Sequence, residues 1–217
     1  MRKQRNKRII IEDLTITKMA AEGKAMGHHE GKVIFVDFAV PGDRVKVQTT
    51  VSKKDYAVAS IVEILNPSPI RTEPTCEHFG TCGGCRWQHI PYSDQTGYKQ
   101  QLVQEAFERI GHLNFPEIQP IIGAPDVFEY RNKMEYTFSN RGWLTQEQID
   151  SGQEFERRAL GFHVPGRFDG VMQINKCYLQ DDLGNQIRNF VHQYSLEKDF
   201  TFYNVKMHEG FLRNLIM

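Results

Sequence analysis

No run of this 217-residue sequence approaches the ~20 apolar residues that span a bilayer. Nor is a secretory leader expected: the basic start MRKQRNKR is followed only by IIIEDL, too short for a signal-peptide core. Net charge is absent too, with 27 Lys and Arg against 27 Asp and Glu, which excludes binding of a polyanion by bulk charge. There is no internal repeat, no low-complexity stretch and no G-x-G-x-x-G loop for a nucleotide cofactor. Cysteine is scarce, four residues in all. These absences predict a cytoplasmic chain with no membrane contact. Thiols stay reduced in that compartment, which argues against disulfides.

What is present fits a globular protein: 40% hydrophobic and 25% charged residues, enough for one large domain or two to three small ones. Charge is uneven along the chain. Residues 1–70 carry 12 Lys and Arg against 8 Asp and Glu, and five of those cations (Arg2, Lys3, Arg5, Lys7, Arg8) fall in the first eight residues. Such a tail can contact a polyanion or simply solubilise the chain.

Residues 7–65 read as short strands. RIIIEDLTITKM opens the series, GKVIFVDFAV (31–40) follows the turn-like GHHEG, and PGD (41–43) is a turn with proline preset at its first corner. RVKVQTTV (44–51) alternates Val45 and Val47 against Arg44 and Lys46, and YAVASIVEIL (56–65) completes the pattern. About five short strands with regular turns predict a small closed barrel of OB type, a shape that often binds nucleic acid. His28 and His29 fall at a predicted hairpin tip, as solvated turn residues.

NPSPIRTEP (66–74) is a proline-punctuated linker. Beyond it, residues 93–111 predict a helix with Ser93 as N-cap, Tyr98, Leu102, Ala106 and Ile110 at i+4 steps, and Gly111 as stop. YRNKMEYTFSN (130–140) predicts a strand with Met134, Tyr136 and Phe138 on one face and Arg131 and Lys133 on the other. RALGFHVPGRFDGVMQINKC (158–177) predicts a hairpin turning on PGRFDG. DDLGNQIRNFVHQY predicts a helix with Leu183, Ile187, Phe190, Val191 and Tyr194 in one stripe, and FTFYNV and GFLRNLIM predict strands. The expected fold class is therefore α+β, divided at 1–66 (barrel), 67–91 (linker and cysteine segment) and 92–217 (a mixed α/β domain). A stop inside the last apolar strand suggests that the domain continues beyond Met217.

CEHFGTCGGCRWQH (76–89) places Cys76, Cys82 and Cys85 in a C-x5-C-x2-C array, with Cys177 far away. Four thiolates suit a tetrahedral zinc ion or a cubane iron–sulfur cluster. Structural zinc more often takes two close pairs, although His78 or His89 could complete a Cys3His site. Gly83 and Gly84 favour the cluster, because a glycine turn can aim N–H groups at an anion. Spacing alone leaves both open.

PTCEHFGTCGGCRWQHIPY resembles the iron–sulfur signature of the bacterial RNA uridine-5-methyltransferases, which use S-adenosylmethionine to methylate C5 of uridine in ribosomal or transfer RNA. The resemblance implies a [4Fe–4S] cluster on Cys76, Cys82, Cys85 and Cys177. GKVIFVDFAVPGDRVKV is similar to the TRAM domain, an OB-like RNA-binding module at the family's N-terminus. EYRNKMEYTFSN, LGFHVPGRFDGVMQINKC and HEGFLRNLIM resemble its central domain. Radical-SAM enzymes that carry TRAM use C-x3-C-x2-C, which this chain lacks.

Family members continue into a Rossmann-like domain that binds S-adenosylmethionine and supplies a nucleophilic cysteine. That domain is expected to be absent here. With all four thiols taken as ligands, no catalytic residue is expected, and the segment alone should be inactive. Its implied role is RNA recognition, ribosomal RNA before transfer RNA, as a monomer. Arg44, Lys46, Lys53, Lys54, Arg131 and Lys133 are the candidate phosphate contacts. Rival readings are a zinc-stabilised RNA-binding module and a small iron–sulfur electron carrier.

Overall fold

The structure, a computed structural model, describes residues 8–217, so Arg2, Lys3, Arg5 and Lys7 of the basic tail lie outside the described residues. Two compact units emerge. One joins the residues through Glu73 with Trp87–Gly123, and the other joins Pro74–Arg86 with Ala124–Met217. These units cut across the expected boundaries: the first helix groups with the barrel, and the cysteine segment with the second unit.

The first unit is a closed five-stranded barrel in the order β1-β2-β3-β5-β4, made of β1 Ile10–Met19, β2 Ala25–His29, β3 Lys32–Val36, β4 Arg44–Ser52 and β5 Tyr56–Asn66. β3 and β5 pair parallel and the other pairs are antiparallel. The period-2 pattern chooses the inside: Val45 and Val47 are buried while Arg44 points out, and Leu14, Ile16, Ile34, Val36 and Ala59 complete the aliphatic core. Three β-bulges along β4 against β5, and two along β1, bend those strands enough to close the barrel. His28 and His29 end β2, one step before a hairpin turn whose residues Glu30 and Gly31 both adopt positive φ.

The PGD turn does more than reverse the chain. Asp43 is fully buried and accepts from the N–H groups of Val40 (2.7 Å) and Ser68 (2.8 Å) and from Arg71 Nε (2.8 Å) and Nη2 (2.6 Å). One carboxylate thus ties the start of the linker to the barrel. Trp87 and Ile90 extend the same core, with the Trp87 indole N–H donating to Gly23 O at 3.0 Å.

α1 spans Tyr92–Glu105, with Pro91 rather than Ser93 at its N-cap position, and continues as a π-turn over Ala106–Ile110 to the expected stop at Gly111. Its expected apolar stripe is not a core stripe. Tyr98 packs on the barrel and edge-on to Trp87, but no residue of the helix is fully buried and Ile110 is 82% exposed.

The second unit is built on an antiparallel sheet in the order β8-β7-β6-β9, from β6 Glu135–Ser139, β7 Ala159–His163, β8 Val171–Gln173 and β9 Asn214–Ile216. Met134, Tyr136 and Phe138 face the core as the alternation predicts. Residues 164–170 form the expected PGRFDG turn, with Val164 N–H donating to Gly170 O at 3.0 Å. FTFYNV does not form the expected strand; Phe202 and Asn204 make only isolated bridges to Leu212 and Glu209. A short helix, α2 Gln146–Asp150, carries a capping box from Thr145 and Gln148.

α3, Asp182–Glu197, is N-capped by Asp181, whose carboxylate accepts from Gly184 N–H at 2.7 Å. Here the structure overturns the expected orientation. Leu183, Ile187, Phe190 and Tyr194 of the apolar stripe are exposed and only Val191 of it packs against the core, whereas Asn185, Arg188 and Ser195 are buried. The helix turns Asn185 and Arg188 inward, towards the segment that carries Cys177, with Val191 and Leu196 packing against the core further along.

Candidate cysteine site and basic surface

The loop holding Cys76, Cys82 and Cys85 is a chain of tight turns. Phe79 N–H donates to Cys76 O, and Thr81 and Cys82 N–H both donate to His78 O. Hydrogen bonds dock it onto the rest of its unit: Gly83 N–H donates to His163 O at the end of β7 (3.2 Å), Asn175 N–H donates to His78 Nε2 (3.1 Å), and Asn175 Nδ2 donates to Glu77 Oε1 (3.4 Å). A Cβ on Gly83 would stand 2.8 Å from His163 O, so the approach is open only to glycine. Gly84 N–H points at Cys82 Sγ at 3.3 Å, the N–H-to-sulfur contact that the glycine pair predicted.

Asn175 leads directly into Cys177, which is buried in the core of the unit with Cys82 and Cys85 packed against the same cluster. Asn185 of α3 clamps this turn. Its Oδ1 accepts from Cys177 N–H (2.7 Å) and its Nδ2 donates to Cys177 O (3.0 Å) and Asp181 O (2.9 Å). Sequence reasoning missed Asn185. The signal available was its place three residues before Arg188 on one helical face, hidden because the opposite face looked like the core.

No disulfide joins the cysteines. Burial pushes the Cys76 thiol up, and the charges of Cys85 and Cys177 add to the rise. Burial likewise raises Cys82, to about 11, with Cys85, Cys177 and Cys76 all contributing. By packing, the fold brings Cys82 and Cys85 of the loop against the core cluster that holds the distant Cys177. Metal or cluster ligation by cysteine requires the thiolate, so a bound cation would have to draw the protons off these thiols. Among the described residues, no three His, Cys, Asp or Glu side chains are grouped so as to hold a metal ion. His78 is buried and its Nε2 accepts from Asn175 N–H, while His89 is buried in the first unit.

The six basic candidates divide. Arg44 is held by Asp13, and Lys46 by Glu12 at 2.7 Å, both acids on β1. Lys53 and Lys54 lie exposed in the β4–β5 turn, and Arg131 and Lys133 lie exposed in the irregular lead-in to β6 rather than in a strand. These four make no ion pair among the described residues. No helix among those residues is long and apolar enough to cross a membrane.

The chain thus divides into a unit with a closed barrel and an α/β unit that carries all four cysteines. The family description of the TRAM domain of tRNA (uracil(54)-C(5))-methyltransferase fits residues 4–70. An uncharacterised RNA methyltransferase of Bacteroides thetaiotaomicron is 48% identical over 92% of this chain, and one of Porphyromonas gingivalis 42% identical over 94%. The chain spans 44% and 45% of those curated relatives. In structure it is similar to the Pyrococcus abyssi tRNA (uracil-54, C5)-methyltransferase solved with S-adenosyl-L-homocysteine, with a TM-score of 0.63 and 22% identity over 94% of this chain and 42% of that one. At that identity the likeness speaks for the fold. By sequence the chain is similar to RNA methyltransferases, and its residues 4–70 to the TRAM domain.

Proposed function

We propose that this chain is the RNA-gripping, cluster-bearing part of an enzyme that transfers a methyl group from S-adenosylmethionine to C5 of uridine in RNA, in the cytoplasm. The observation that carries the reading is that Cys177, on the turn before α3, shares a core cluster with Cys82 and Cys85 of the glycine-bearing loop that also holds Cys76, in a chain similar to RNA methyltransferases. Four thiols, an N–H aimed at sulfur and a loop approach open only to glycine suit a [4Fe–4S] cluster. Bound there, the cluster would staple the 76–85 loop to the Cys177 turn.

The chain's own part is to hold RNA. The barrel presents Lys53 and Lys54, and the second unit Arg131 and Lys133, as exposed cations suited to phosphates. Arg44 and Lys46 would have to exchange Asp13 and Glu12 for phosphate oxygens. Uracil C5 is a weak nucleophile until a thiolate adds at C6, and the base must leave its stack to be reached. We assign no residue of this chain to that addition, since its four thiols are the ligand set. The substrate is read as 23S ribosomal RNA. The shared fold with the Pyrococcus abyssi tRNA (uracil-54, C5)-methyltransferase supports transfer RNA as the second reading.

Iron, sulfide and zinc analysis of protein purified without oxygen tests the cluster. About four irons and four sulfides per chain, lost in Cys177→Ser, is expected for four-thiolate ligation. One zinc and no sulfide would instead leave a zinc-held RNA-binding module. RNA affinity falling steeply with salt is expected of the RNA reading, and salt-independent or absent binding would favour an electron carrier.

A further inference from the structure

The guanidinium of Arg188 is wholly buried, yet it meets no carboxylate among the described residues. Its four acceptors are neutral: Asn185 Oδ1 (2.8 Å), Asn189 Oδ1 (3.0 Å), Asn175 O (2.5 Å) and the Tyr136 hydroxyl (3.3 Å). The face of Tyr136 lies 5.1 Å away, and Nε has no hydrogen-bond partner. An isolated buried cation of this kind costs several kcal/mol unless an opposite charge lies close by. α3 nevertheless places it inside while leaving Leu183 and Phe190 63% and 69% exposed. A helix that had only to pack would be turned the other way.

The bonds of Arg188 lead to the cysteine site. Asn185 Oδ1 accepts from Arg188 Nη1 and from Cys177 N–H together. Asn175 O accepts from Arg188 Nη2, while Asn175 N–H holds His78 of the cysteine loop. The guanidinium therefore sits behind both segments that carry the thiols.

We infer that Arg188 is the buried counter-charge of the metal–thiolate centre on Cys76, Cys82, Cys85 and Cys177, and sets how firmly that centre is held and how easily it is reduced. This rests on the cluster reading above. Four thiolates outweigh the positive charge of an iron–sulfide core, so the centre is a net anion, and more so when reduced. A fixed cation in a low-dielectric interior stabilises the anion and favours its reduced form.

The test uses the full chain, purified and loaded with iron and sulfide without oxygen, and followed by absorption during a reductive titration and during transfer of iron to a chelator. Arg188→Gln should move the reduction potential to more negative values and weaken the hold on iron about tenfold, as loss of an outer-shell partner does. Arg188→Lys, which keeps the charge, should hold the potential near that of the unaltered chain. Asn189→Asp changes an exposed residue 3.0 Å from Arg188 Nη2, supplies the carboxylate the guanidinium lacks, and should move the potential in the same direction as Arg188→Gln. If Arg188→Gln fails to fold, Asn189→Asp decides. A loaded, folded Asn189→Asp chain whose potential and iron release match the unaltered chain overturns the role of Arg188. An unaltered chain that takes up no iron and sulfide brings down the cluster reading itself, and this role with it.

Discussion

In the barrel, the buried carboxylate of Asp43 meets Arg71 through two bonds and two backbone N–H groups besides. In the second unit, the buried guanidinium of Arg188 meets four neutral oxygens and leaves Nε unmatched. The first charge is complete within the protein and explains itself as a staple between the PGD turn and the linker. The second has no opposite charge among the described residues, which is the ground for the role proposed for it. The difference separates a structural charge from a functional one: satisfaction marks the former, and a charge left buried without its opposite points outward, to a ligand.

Removing one partner from the complete pair should have the largest effect. Asp43→Ala strands Arg71 and the N–H groups of Val40 and Ser68, and should lower the stability of the barrel unit by about 3–5 kcal/mol in a denaturant titration. A loss below about 1 kcal/mol, the range of exposed pairs, would show that Asp43 is not the staple its contacts imply. Asn185→Ala comes next. It leaves Cys177 N–H and O without their clamp, at a cost of up to about 3 kcal/mol for the second unit. The measurement is again a denaturant midpoint, and an unchanged midpoint would mean that the turn is held by other contacts.

How much of this was legible in the sequence follows from the same contrast. The strands of the barrel could be read because one apolar core dictates a period of two, and Val45, Val47, Tyr136 and Phe138 face where alternation places them. The cysteine loop could be singled out because Cys76, Cys82 and Cys85 share ten residues. α3 could not. Its apolar stripe is real, but Asn185 and Arg188 take the inside because the Cys177 turn needs hydrogen bonds that Leu183 and Phe190 cannot make. FTFYNV was misread as a strand because its alternation has no full-length partner beside it, only the bridges to Leu212 and Glu209. The pairing of Arg44 with Asp13 and of Lys46 with Glu12 depends on the β1–β4 register, which no local pattern reveals.

Acid should separate the barrel's charges from one another. Burial holds the His89 imidazole down at about 4, with the positive charge of Arg71 reinforcing the shift and Asp43 opposing it. A base whose folded value lies below its ordinary 6.5 is favoured neutral by the fold. Its contribution is complete above pH 6.5 and is lost as the pH falls from there towards 4. Between pH 7 and 5 the barrel unit should lose about 2 kcal/mol from this residue, a loss absent in His89→Asn. Asp43 responds later. Burial would raise it, but Arg71 and the N–H groups of Ser68 and Val40 outweigh burial and hold it below the usual carboxylate range. Its stabilisation is therefore lost only below the ordinary carboxylate value. Equal stability at pH 7 and 5 would mean that His89 is reached by water and sits at its ordinary value.

The smallest expected effect tests the inverted helix most directly. Phe190 is 69% exposed on α3, stacked on Tyr194 at a centroid distance of 6.0 Å, and makes no part of the second unit's core. Phe190→Ser should therefore change the stability of this chain by no more than about 0.5 kcal/mol, as an exposed position does. The amphipathic pattern of the helix, read without the structure, demands the opposite: a buried phenylalanine replaced by a small polar residue would cost about 3–5 kcal/mol. Two such different expectations for one substitution can be told apart by a single pair of denaturant curves. A large loss would turn α3 over, place Arg188 in water and remove the contrast between a satisfied and an unsatisfied buried charge. A negligible loss, beside a substantial one for Asn185→Ala, would fix the polar face as the inner face and leave the cysteine site as the reason for it.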